Sequence, residues 1–135
     1  MNASRDRGSG PSRPAVLTLP PELPSVRAAR AFVGQRCGDL GLSAEQCDDA
    51  LLLTSELVTN AVLHGRSELC VEVTSLEDRV RVAVLDENSR HPAVVIEDPD
   101  ALDGRGLALV AAVASRWGVD DRPMGKSVWF ELSRA

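Results

Sequence analysis

The chain has 135 residues, 44% hydrophobic and 26% charged, a length and balance that fit one soluble globular domain and exclude a fibrous or wholly disordered polypeptide. Its net charge of −5, with only Phe32, Trp117, Trp129 and Phe130 as aromatics, argues against direct nucleic-acid binding, which needs a basic surface and stacking platforms. No apolar run is long enough to span a membrane, and no apolar stretch follows the arginines of residues 1–14 as it does in a secretory signal, so a cytoplasmic, membrane-free protein is expected.

Residues 1–14 mix Ser, Gly, Pro, Arg and Asp without periodicity and are expected to form a disordered tail, leaving 15–135 as a single domain. Val16, Leu17 and Leu19 make a short extended segment that Pro20, Pro21 and Pro24 stop, because proline cannot donate to a ladder; this predicts an edge strand. A helix is expected from Val26, capped by Ser25 and ended by Gly41, with Val26, Ala29, Phe32 or Val33, and Cys37 on its apolar face. Ser43 and Gln46 have the spacing of a capping box, and a second helix is expected from there to about His64, closed by Gly65. It is apolar around most of its circumference, which predicts a core position.

Leu69, Val71 and Val73 alternate with more polar neighbours, as do Val80, Val82 and Val84, and the Glu77–Asp78 corner joins the two runs as a hairpin. A long loop then runs from Glu87 to Asp103, with Pro92 and Pro99 in it. Gly104, Arg105 and Gly106 open a third helix, expected from Leu107 to about Arg116. Strands over 117–120 and 127–132, separated by a turn at 123–126, complete a βααββαββ order. That order predicts an α+β two-layer sandwich, a mixed and mostly antiparallel sheet with helices on one face. Cys37, Cys47 and Cys70 are odd in number and lack C-x₂-C spacing, so reduced thiols are expected rather than disulfides or a zinc site.

Four groups of residues have chemistry to offer. Glu56, Asn60 and His64 lie four residues apart on the second helix and make one polar stripe, which suits either a ligand or the solvent face of an amphipathic helix. Gly104-Arg105-Gly106 ahead of an apolar helix suits a tight turn or, with bare amides beside a guanidinium, an anion site. Asp86 ends a valine-rich strand, where a carboxylate starts a turn or accepts a hydrogen bond from an exocyclic amine. Gly125-Lys126-Ser127 opens the last strand as a hairpin corner would.

Taken in order, Glu56-Leu57-Val58-Thr59-Asn60-Ala61-Val62-Leu63-His64-Gly65, Asp86, Gly104-Arg105-Gly106-Leu107 and Gly125-Lys126-Ser127 resemble the N, G1, G2 and G3 boxes of the GHKL (histidine-kinase-type) ATP-binding superfamily. Within it the chain resembles the small RsbW-like anti-sigma factor serine/threonine kinases, from about Val16 to Leu132. The resemblance implies that Asn60 presents its oxygen to Mg²⁺, that Glu56 is the general base, and that Asp86 selects the adenine of ATP. It places Arg105 in a lid over the phosphates beside the Gly104 and Gly106 amides. His64, Gly65, Leu107, Gly125, Lys126 and Ser127 would border the nucleotide. It further implies an anti-anti-sigma-like protein substrate, a sigma factor as second partner, and homodimerisation, which is common in the family. One departure stands out: the usual D-x-G-x-G of the G1 box reads Asp86-Glu87-Asn88-Ser89-Arg90, with Asn88 and Arg90 in the glycine positions. That departure motivates a second reading, a non-catalytic nucleotide-binding or protein-sequestering module of the same fold.

Overall fold

Strand β1 (Ala15–Leu19) ends where Pro20 withdraws its amide, and the chain turns directly into helix α1 (Pro24–Asp39). In the computed structural model, which describes residues 13–65, 67–87, 102–123 and 125–134, α1 starts earlier than the sequence predicts. Pro24 occupies the first turn, where a missing N–H costs nothing, and the Ser25 hydroxyl donates to the Pro20 carbonyl at 2.7 Å instead of capping the helix. At the other end the Leu42 amide bonds the Cys37 carbonyl (3.1 Å) and the Gly41 amide that of Gly38 (3.2 Å). This is a Schellman closure, which needs the left-handed backbone that Gly41 supplies at φ +84°.

Helix α2 (Ala44–Asn60) begins with the capping box read from the sequence: the Gln46 amide bonds Ser43 Oγ at 3.1 Å, and the Ser43 amide bonds Gln46 Oε1 at 3.0 Å. Its buried face is narrower than expected. Ala50, Leu53, Thr54, Leu57 and Val58 are buried, but Leu52 is 40% exposed, because a helix covering one face of a sheet keeps an outer side. Beyond Asn60 the helix widens into a π-type turn, Ala61–Gly65. Such widened turns occur frequently at functional sites.

Strands β2 (Leu69–Ser75) and β3 (Arg79–Asp86) form the expected hairpin, closed by the Leu76 amide on the Arg79 carbonyl at 2.8 Å. Helix α3 (Leu102–Val113) leads into β4 (Arg116–Arg122) and β5 (Gly125–Ser133). The sheet order is β1-β2-β3-β5-β4, with β1 at an edge as predicted and every neighbouring pair antiparallel. The expected mixed sheet is not found among the described strands. β3 and β4, joined through α3, do run the same way, but β5 inserts between them and pairs with both.

One face of the sheet and the three helices enclose the core, in which Ala29, Val33, Leu53, Leu69, Val71 and Phe130 have no exposed surface. Burial of each larger side chain contributes on the order of 2 kcal/mol. On the opposite face Glu131 is also fully buried. Its carboxylate accepts from Arg79 Nε (2.8 Å) and Arg81 Nε (2.8 Å), and Arg116 Nη1 stands 3.7 Å away. The Arg81 guanidinium also stacks 4.3 Å from the Trp129 ring centre. Arg79 is held more firmly protonated by its hydrogen bond to Asp78 first and by Glu131 second. Among the described residues no helix is long and apolar enough to cross a membrane.

The three cysteines are free thiols. Burial, reinforced by Cys47, pushes the Cys37 thiol up to about 12.

Candidate functional site

Glu56 and Asn60 lie one turn apart on α2, and both are half-buried. Their burial departs from the simple solvent-face reading of the stripe. His64, in the widened turn, is exposed, so the stripe grades from partly enclosed to open along its length. The exposed Leu52, one turn before Glu56, and Leu63, next to His64, add apolar surface near it in sequence. Gly65 ends the turn.

The widened turn packs against β3, the strand that ends on Asp86. Asp86 faces the helical layer: it follows Val80, Val82 and Val84 on the buried side of β3, and its side chain is only 4% exposed. The end of α2 and the Asp86 carboxylate thus come to the same side of the sheet.

Asp86 lies directly across from Lys126 of β5. The Lys126 ammonium sits 3.2 Å from each carboxylate oxygen, and the lysine side chain is 11% exposed. The approach of the two strands depends on Gly125. At φ +149° it adopts a backbone rarely open to other residues, and a Cβ there would fall on the Asp86 carbonyl oxygen and stand 2.7 Å from Glu87 Cα. Gly125 and Lys126, expected in a turn, are therefore the first residues of β5, and both belong to the Asp86 corner. Ser127 does not: it alternates to the opposite face of the sheet, opposite Leu85 and Asp120.

Gly104, Arg105 and Gly106 lie inside α3 rather than ahead of it, since the helix begins at Leu102. Counted from Leu102, Gly104 falls in the first turn, whose amides have no intrahelical acceptor, and Gly106 is the fifth residue, past that turn. Arg116, expected as the end of this helix, is the first residue of β4. Leu107 is buried in the hydrophobic core. Asn88, with the rest of the altered G1 box, and the tail of residues 1–12 lie outside the described residues.

The Asp86–Lys126 pair is the feature that reading the sequence missed. Its two members are 40 residues apart, and only the register between β3 and β5 joins them. A second acidic residue, Asp121 of β4, lies across from Lys126 on the other side.

The sequence matches the family of the histidine kinase-like ATPase domain over residues 19–132. The chain belongs to that family. Membership establishes the GHKL resemblance at the level of fold and implies ATP binding. Among solved structures, the RsbU and RsbW domains of Rv1364c from Mycobacterium tuberculosis match with a TM-score of 0.69 and 21% identity, covering 90% of this chain and 32% of that one. This chain therefore spans about a third of that solved chain, and at this identity the likeness is one of fold. No curated protein matches.

The residues present suit a nucleotide and its cation. Among the described residues, no hydrogen bond or ion pair engages the side chain of Glu56 or of Asn60. A half-buried carboxamide and carboxylate one turn apart keep a side open to a ligand, and a carboxamide oxygen is a ligand type that Mg²⁺ accepts.

Proposed function

We propose that this member of the family is an ATP- and Mg²⁺-dependent serine/threonine protein kinase of the RsbW-like, anti-sigma regulatory type. The observation that carries the proposal is the half-buried pair Glu56 and Asn60 at the end of a helix whose widened last turn packs against the strand bearing Asp86. In this reading Asp86 faces the base and Asn60 offers its oxygen to Mg²⁺. The cation would neutralise charge on the phosphate groups.

Glu56 then accepts the proton of a serine or threonine hydroxyl on an anti-anti-sigma-like protein. The hydroxyl oxygen bonds to the γ-phosphorus, the bond from that phosphorus to the β,γ-bridging oxygen breaks, and ADP leaves. Arg105, at the start of α3, would lie near the phosphates. A sigma factor would be the second partner, held on the acidic surface of a protein with net charge −5, in a cytoplasmic regulatory circuit. Residues 15–135 would form the single catalytic domain.

The experiment is titration of ATP with and without Mg²⁺ into wild type and Asn60→Ala, followed by transfer of labelled γ-phosphate from wild type and Glu56→Gln to an anti-anti-sigma-like protein. The expected result is Mg²⁺-dependent binding weakened in Asn60→Ala, and transfer lost in Glu56→Gln with binding retained. Absence of ATP binding at millimolar nucleotide would refute the proposal.

A second reading, a non-catalytic module that sequesters its partner, is favoured by one observation: the carboxylate expected to read adenine already holds an ammonium ion. It predicts equal partner binding by wild type and Glu56→Gln, with no phosphate transfer by either.

A further inference from the structure

We propose that the sheet face opposite the helices is a docking surface for an acidic segment of a partner protein, centred on Trp129, Arg81 and Arg116. The inference goes beyond the nucleotide-site reading and does not depend on it. The helices cover the face that carries Val82, Val84, Val128 and Phe130. Side chains alternate along a strand, so the residues between these fall on the other face. On β3, β5 and β4 that face carries four arginines, Arg79, Arg81, Arg116 and Arg122, against two acidic residues, Asp120 and Glu131. Asp78 of the hairpin takes up Arg79 Nη1 at 2.6 Å, and an excess of cations still remains, in a chain whose net charge is −5.

Glu131 fixes these cations without using up their donors. A guanidinium has five N–H groups. Arg81 gives Nε (2.8 Å) and Nη2 (2.6 Å) to that carboxylate, whereas Arg116 only approaches it, Nη1 at 3.7 Å, with its side chain 61% exposed. The two guanidiniums stand 4.3 Å and 6.0 Å from the centre of the Trp129 ring. The indole lies down across β4: a Cβ on Gly118 would stand 2.6 Å from its Cζ2 and 3.1 Å from its Nε1. Among the described residues, Trp129 Nε1 is enclosed and has no hydrogen-bond acceptor. A donor left in that state is costly, and an acceptor brought by a ligand relieves the cost. Arg116, on the same face two residues from Gly118, is exposed enough to turn with an incoming carboxylate and deliver it to the indole.

The chemistry selects a protein carboxylate. Planar carboxylates match guanidiniums in a bidentate way, and Trp and Arg are among the side chains that dominate protein–protein contacts. A long polyanion such as nucleic acid would run off the patch onto an acidic remainder and be repelled, whereas a short acidic segment ends within it. A purely structural cluster accounts for Glu131 and its nearer arginines. It does not account for the exposed Arg116 beside an indole N–H that lacks an acceptor.

The test is titration of a polyglutamate peptide of about ten residues into the isotope-labelled full chain at about 0.15 M salt, where a Debye length of about 8 Å confines each charge to its neighbourhood. The readout is the pair of indole N–H resonances, from Trp117 and Trp129, assigned with Trp129→Phe. The expected result is a saturable downfield shift of the Trp129 signal, with a Kd of about 1 mM or tighter and the Trp117 signal unmoved. Affinity should fall about fivefold in Arg116→Gln and less than about twofold in Arg27→Gln, which removes an exposed cation of α1 on the other side of the sheet. A Trp129 signal unmoved at about 10 mM peptide overturns the proposal, as does equal weakening in the two variants. Tighter binding of an oligothymidylate of the same length overturns it in favour of nucleic acid. A sedimentation mass of two chains that falls to one in Arg116→Gln gives the face to a second copy, and overturns it too. Thermal melts confirm folding, and if Arg116→Gln does not fold, the contrast between the two indole signals of wild type decides alone.

Discussion

Substituting Gly125 by alanine tests the strand contact on which the Asp86 corner depends. The added Cβ would fall on the Asp86 carbonyl oxygen and lie 2.7 Å from Glu87 Cα and 2.8 Å from the Asp86 carbonyl carbon. All three are backbone atoms, so no side-chain rotation relieves the contact. At φ +149° the alanine also carries backbone strain of about 1–3 kcal/mol. Forcing β5 away from β3 adds an overpacking cost of about 1–3 kcal/mol, for a total near 4 kcal/mol. Urea denaturation followed by circular dichroism should show a midpoint lowered by about 1–3 M, given a slope of about 2 kcal/mol per molar. Gly38→Ala is the control: nothing lies within 4 Å of its added Cβ, and it sits in the last turn of α1. There the substitution should stabilise by about 0.5–1 kcal/mol through helix propensity. A Gly125→Ala protein within about 0.5 kcal/mol of wild type would refute the close approach of the two strands.

Two further outcomes follow from the buried groups. Glu131→Ala removes a fully buried carboxylate but leaves Arg79 and Arg81, whose side chains are 31% and 36% exposed, able to turn to water. The loss should therefore fall somewhat below the usual ~3–5 kcal/mol for a broken buried pair, at about 2–3 kcal/mol, read as a melting temperature lower by roughly 6–12 °C. An unchanged melting temperature would contradict the assignment of Glu131 as the shared anchor of these arginines. Cys37 binds its proton more tightly folded, near 12, than at the ordinary value of 9.0, so the unfolded chain loses that proton first as pH rises. Stability should accordingly decline between about pH 9 and 12, with a steeper slope in wild type than in Cys37→Ala. At pH 8 iodoacetamide should modify Cys70 well before Cys37, mapped by mass spectrometry, and the reverse order would be inconsistent with a sealed Cys37 thiol.

Local chemistry was legible in the sequence wherever one short segment carried it. The order βααββαββ among the described residues, the Ser43–Gln46 capping box, the proline-stopped edge strand and the 77–78 hairpin are all present, because each depends on neighbouring residues and an alternation of two or of three to four. Helix starts were less legible. At α1 the expected cap Ser25 bonds back to Pro20, while proline serves as the first-turn residue, and at α3 Gly104 and Gly106 lie inside the helix rather than ahead of it. Neither sequence is unique to one of those arrangements. The Asp86–Lys126 contact was illegible for a stronger reason. It depends on which residue of β5 falls opposite residue 86, and register is settled by the whole hydrophobic face rather than by any motif near either residue.

That register also explains why the two ion pairs of β5 differ in character. Glu131 and Lys126 are separated by five residues and therefore point to opposite faces of the sheet. Glu131 draws guanidiniums from β3 and β4 over itself, so loss of one arginine leaves the others in place. Its carboxylate is sealed by the cations that pair with it, which suits a structural anchor. Lys126 inverts the arrangement: this cation of β5 lies across from acidic residues on both strands beside it, Asp86 on β3 and Asp121 on β4, on the face of the sheet that carries the helices.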